Sequence, residues 1–159
     1  MEIWKRLSEG AVQLGIPARD KAEVFAILIE GLVEAGQVAP ELPVLEEVLR
    51  REQVLSTGVG NGVALPHARL ENFSGFALAF GRPVQPIDVG AVDALPADLF
   101  FLLIADRRDP SSIVRILGRL ARLCDQEETR DGLRSVKTPE EVIELLKRIE
   151  AATPAADPA

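Results

Sequence analysis

Leu99-Phe100-Phe101-Leu102-Leu103-Ile104-Ala105 has no polar residue at either parity. Alternate side chains of a strand point to opposite faces of a sheet, so a run that is apolar on both parities belongs to a central strand covered on both sides. The run is also far shorter than the roughly 20 residues a membrane-spanning helix needs. The segments on either side can then be read by what they add to this strand.

Downstream, Asp109-Pro110 starts a helix with an acidic cap and a proline at the first helical position, and Ile113, Ile116, Leu117, Leu120 and Cys124 form its buried stripe. After a polar break at Asp125 to Glu128, a short helical piece reaches Leu133. Thr138-Pro139-Glu140-Glu141 then opens a last helix with the stripe Val142, Leu145, Leu146 and Ile149. Upstream, Phe76, Leu78 and Phe80 alternate with alanines as in a strand, and Pro83 and Pro86 break the chain into a loop containing Ile87-Asp88. Val63-Ala64-Leu65 reads as a short strand whose end presents His67. Asp20 and Glu23 have capping-box spacing ahead of a helix with Phe25, Leu28, Ile29, Leu32 and Val33 on one face, ended by Gly36. A second helix follows Pro40, with Val44, Leu45, Val48 and Leu49 on one side. Before all of these, Ile3, Trp4 and Leu7 make a short amphipathic start, and Ala11 to Gly15 reads as a strand ending at a Gly15/Pro17 turn. Helices and strands mix without regular βαβ alternation. The expected fold is an α/β single-domain sandwich, a mixed sheet covered by helices, over residues 1–150, with 151–159 a disordered Ala/Pro tail.

The totals exclude several kinds of function. The chain has 159 residues, enough for one self-standing core, and its net charge of −7 argues against nucleic-acid binding, which relies on clustered Lys and Arg. Any basic patch has to be local. The N-terminus lacks the apolar segment of a secretory signal, and together with a single cysteine this points to the cytoplasm, with no membrane insertion. One Cys and one His cannot supply a Cys/His metal site, so neither metal nor cofactor is expected, and Cys124 reads as a small core residue.

Chemistry concentrates in Arg51 to Arg69, R-E-Q-V-L-S-T-G-V-G-N-G-V-A-L-P-H-A-R, which holds the only histidine. No glycine is followed by lysine as in a nucleotide P-loop, the dinucleotide pattern G-x-G-x-x-G fails at Val63, and G-x-S-x-G is absent. A neutral imidazole can itself accept a phosphoryl group if its other nitrogen is fixed and nearby cations or N–H donors spread the charge. On this reading His67, placed by Pro66, is the nucleophile, and Arg51 at the end of the preceding helix is the cation. Ser56, Thr57 and the N–H groups of a turn through Gly58, Gly60 and Gly62 are the candidate donors. The alternatives are an imidazole with no role, an arginine that only solvates a helix end, and hydroxyls that only shape the turn.

The segment R-E-x-x-x-S-T-G-V-G-N-G-V-A-L-P-H resembles the active-site signature of the type-2 IIA domains of the bacterial phosphoenolpyruvate:sugar phosphotransferase system, the fructose, mannitol and nitrogen-regulatory class. The likeness extends over roughly residues 1–150. It implies an α/β sandwich and a phosphohistidine carrier, with His67 accepting a phosphoryl group from the carrier protein HPr. The group would pass to a IIB domain, or the phosphorylation state would control a regulatory target protein. The family's arginine before the turn is matched by Arg51. Its common second histidine is not matched, and that position falls at Ile113 or Ser112. Loss of the second histidine removes a donor to the phosphoryl group, which Ser112 would replace in part, with Arg107 and Arg108 as further sources of charge. It also motivates the alternative of a regulatory binding module with the same fold that does not transfer.

Overall fold

The computed structural model describes residues 2–153. Its centre is a six-stranded mixed sheet. Strands β1 (Val12–Ile16), β2 (Gly58–Gly60), β3 (Val63–Ala64), β4 (His67–Leu70), β5 (Phe76–Pro83) and β6 (Leu99–Asp106) take the order β1-β5-β6-β3-β2, with β4 also pairing β6. Strand β6 runs antiparallel to β5 and parallel to both β3 and β4. Leu99 to Ala105 are all fully buried, as a run apolar on both parities requires.

The two parities of β6 face different layers. Leu99, Phe101, Leu103 and Ala105 share one core with α3 (Pro110–Asp125), α4 (Glu127–Ser135) and α5 (Pro139–Ala152). Phe100, Leu102 and Ile104 share the other with α1 (Lys21–Glu34) and α2 (Val44–Val54). Local signals fix the helix starts: the Asp20 side chain accepts from Glu23 N at 2.9 Å, and Thr138 Oγ1 accepts from Glu141 N at 3.2 Å. Cys124 lies on the buried stripe of α3, where burial pushes its thiol up to about 12. No helix among the described residues is long and apolar enough to cross a membrane.

Three segments differ from expectation. β1 runs to Ile16, because Gly15 takes a positive φ of 77° and the pairing register shifts there, so the strand bends through the glycine and continues. Residues 63–70 form two strands. Pro66 has no N–H for the ladder, so pairing breaks there, while its carbonyl still accepts from Leu103 N at 3.0 Å and the chain re-enters the sheet at His67. Ala151 and Ala152, expected in the tail, extend α5, as alanine's helix propensity favours; the tail beyond Thr153 lies outside the described residues.

The N-terminal segment, a short 3-10 turn at Ile3–Arg6, is held by one buried carboxylate. Glu150 on α5 accepts from Ile3 N at 3.0 Å and Trp4 N at 2.8 Å, and from Arg119 Nε and Nη2 at 3.0 and 2.8 Å. Its side chain is 2% exposed and that of Arg119 is 12% exposed.

Candidate active site

The register of β4 places His67 opposite Leu103 and Arg69 opposite Ala105. β4 pairs with β6 and with no other strand among those described. Beside it lies an open hollow of about 460 Å³, whose floor includes His67, Ala68 and Arg69. One wall is α2, with Glu47 from its first turn and Arg50, Arg51 and Val54 from its C-terminal half. The other is the start of α3, with Pro110, Ile113, Val114 and Leu117, and Arg107 lines the hollow from the segment between β6 and α3. Four arginines and one glutamate therefore line a single cavity in a chain whose net charge is −7.

His67 is half-buried, and its Nδ1 lies 2.9 Å from the Leu65 carbonyl oxygen. A carbonyl can only accept, so Nδ1 carries the proton and Nε2 of the neutral ring keeps its lone pair. Burial holds the imidazole below its ordinary value of 6.5, and the charges of Arg51 and Arg69 push the same way. The Leu65 carbonyl and Glu52 act in the opposite sense. The ring is thus in its nucleophilic form at neutral pH. Because this is the only histidine, its titration by NMR is unambiguous, and its midpoint should fall below 6.5. Any reaction needing the neutral ring should be flat from pH 7 to 8 and decline only as acid protonates it; a midpoint above 6.5 would contradict the burial argument.

Arg51 donates from Nη1 to the Leu55 carbonyl at 2.9 Å. Among the described residues it has no carboxylate partner, so its remaining N–H groups are uncommitted. Arg50 pairs with Glu47 at 3.0 Å, and Arg107 approaches Glu47 at 3.8 Å and Glu71 at 3.2 Å. Two of these residues were within reach of sequence reasoning but were not found by it. Arg69 is two residues along the strand from His67 and so shares its face, and Glu47 is one helical turn before Arg51.

The expected donors need reassigning. Thr57 Oγ1 donates to buried Glu52 at 2.6 Å, and Thr57 N points to the same carboxylate. Ser56 Oγ donates to the Val89 carbonyl and accepts from Gly58 N. These hydroxyls are occupied by α2 and by the loop between β5 and β6. Gly58, Gly60 and Gly62 belong to the β2–β3 hairpin, where Gly58 lies opposite Ala64 and Gly60 opposite Val63, three and four residues before His67, so the nearest of them is about 10 Å along the strand from it. None of them lines the hollow that holds His67. Their need for glycine is met by packing: a Cβ on Gly58 would stand 2.7 Å from Val89 Cγ2, and one on Gly62 would stand 2.7 Å from Asp98 Oδ1 at a φ of 80°. Ser112 is buried in the first turn of α3 and does not line the hollow; its neighbour Ile113 does. Arg108 is bonded to Asp106 and Ser74 and lies outside the lining.

Three comparisons bear on this arrangement. The family model described as "Phosphoenolpyruvate-dependent sugar phosphotransferase system, EIIA 2" matches residues 5–149. The chain is 30% identical over 148 residues to the PTS system fructose-specific EIIABC component of Bacillus subtilis, covering 93% of this chain but only 23% of that protein's length. It is 31% identical over 146 residues to the nitrogen regulatory protein of Pseudomonas aeruginosa, covering 88% of this chain and 91% of the relative. The crystal structure of the nitrogen regulatory protein IIA-Ntr from Neisseria meningitidis superposes with a TM-score of 0.80 at 28% identity, over 91% of this chain and 98% of that one.

Proposed function

The chain belongs to the EIIA type-2 family of the phosphoenolpyruvate-dependent sugar phosphotransferase system, and we propose that within it His67 is the phosphoryl acceptor. The observation that carries this reading is a half-buried imidazole, its Nδ1–H tied to a main-chain carbonyl, on the floor of an arginine-lined hollow. The Nε2 lone pair forms the new N–P bond as the donor's own bond to phosphorus breaks, leaving that electron pair on the donor nitrogen. The proton on Nδ1 stays where it is throughout. Arg51 carries the largest share of charge stabilisation, because it is the hollow's half-buried guanidinium with no carboxylate partner among the described residues.

The donor is a phosphohistidine carrier of the HPr type, and the group moves on to a IIB protein or serves as a regulatory signal in the cytoplasm. Exposed Val54 and Val114 on the two walls suit contact with a protein partner. Incubation with phosphoenolpyruvate, Enzyme I and HPr should give one acid-labile phosphate per chain, and failure to label would sink the proposal. An Arg51→Ala variant should label about 10- to 100-fold more slowly, from loss of one charge-assisted contact to the transferred group, with Arg51→Lys recovering part of the rate. Equal rates for all three would remove Arg51 from the mechanism.

The lining by Ile113, one of the two positions, with Ser112, at which the resemblance leads one to expect a second histidine, favours a second reading in which phosphorylation acts as a signal without onward transfer. Labelling without delivery to a IIB protein would select it.

A further inference from the structure

The hollow proposed to receive a doubly negative group contains a carboxylate. Glu47 is its only acidic lining residue among those described, and it lies on α2 one helical turn before Arg51. Its side chain is 19% exposed, so it is held within the wall while its partners reach outward. Both oxygens are engaged: Oε1 with Arg50 Nη1 at 3.0 Å and Oε2 with Arg107 Nη2 at 3.8 Å. The two guanidiniums are 69% and 49% exposed, with freedom to exchange partners.

A carboxylate is a poor neighbour for a phosphoryl group and a good stand-in for one. With His67 free, Glu47 occupies two of the four cations; with a phosphoryl group on Nε2, the same cations have a better anion to pair with, and Glu47 is left beside like charge. We infer that Glu47 is a resident competitor for the site's arginines that keeps the phosphorylated state from becoming too stable, so that the group can be given up again. The inference rests on the reading of His67 as acceptor. Glu47 does not touch the reacting atoms; it acts through Arg50 and Arg107. Glu71 is the internal comparison. It also pairs with Arg107, at 3.2 Å, but its side chain is 73% exposed and it is not part of the lining, so solvent screens it.

The test is the equilibrium partition of labelled phosphate between HPr and this chain, starting from purified phospho-HPr with Enzyme I and phosphoenolpyruvate removed. Glu47→Gln keeps the shape of the side chain and removes its charge. It should shift the partition toward the phosphorylated chain about tenfold, the size expected of one charge acting on a dianion across a partly solvated hollow. The reverse transfer to HPr should slow by a similar factor, and high salt should shrink the shift. Glu71→Gln should change the partition less than twofold. A Glu47→Gln partition within twofold of the natural chain overturns the inference, as does an equal shift in Glu71→Gln, which would make overall charge the cause. If the natural chain takes up no phosphate from phospho-HPr, the acceptor reading fails first and the inference fails with it; normal uptake with an unmoved partition fails the inference alone.

Discussion

A His67→Ala chain should carry no acid-labile phosphate after incubation with phosphoenolpyruvate, Enzyme I and HPr, while the natural chain labels to completion. The expectation is all-or-none because the proposed step makes a covalent bond to Nε2, and there is no second imidazole in the chain to take its place. The four arginines of the hollow would remain, so the variant should still attract phosphate-bearing partners without accepting from them. Folding should be nearly unaffected, since the half-buried ring makes one hydrogen bond, to a carbonyl of its own segment. Equal labelling of His67→Ala would move the acceptor elsewhere and remove the basis of the proposed mechanism. Loss of labelling with an unchanged thermal midpoint is the supporting result.

The largest expected effect on stability lies away from the hollow. Glu150→Ala should cost about 3–5 kcal/mol, because it leaves the Arg119 guanidinium buried without its counter-ion and strands two main-chain N–H groups. Glu150 gathers four N–H donors at 2.8–3.0 Å, so one carboxylate joins the N-terminal segment, α3 and α5. Urea unfolding would measure the loss as a lower midpoint. Trp4, the only tryptophan, should report release of the N-terminal segment by fluorescence. Replacing Glu150 and Arg119 together by apolar residues should cost less than Glu150→Ala, since no lone charge is left inside. A loss under about 1 kcal/mol in the single variant would show that water reaches Arg119 and that the pair is not truly buried.

The fold was legible where a residue pattern has one physical solution. A seven-residue run apolar on both parities has to lie between two layers, and Asp20 and Thr138 declare helix starts through hydrogen bonds that span three residues. That His67 and Arg51 share one hollow was expected from the sequence for a similar reason: a Pro-His at a strand and an arginine at a helix end are local features. What the sequence did not reveal depended on which side a short polar chain turns. Ser56, Thr57 and the three glycines sit in the same motif as His67, yet none of them lines the hollow, and the hydroxyls find Glu52 and the Val89 carbonyl first. Val89 comes from a different part of the chain and nothing in the motif indicates it, whereas Glu52 is the motif's own second residue. Arg69 and Glu47 could have been found from strand and helix periodicity, had those been applied to charged residues as well as apolar ones.

The bond from His67 Nδ1 to the Leu65 carbonyl spans only Pro66, so the ring is steered by its own main chain and owes its pose to no distant helix. On the proposed reading that bond is the same before and after phosphorylation, since the new group attaches to the opposite nitrogen. The message of such a switch is then written in electric field over an unmoved frame. A partner that distinguishes the two states would be reading voltage more than shape, and its discrimination should fade as ionic strength rises.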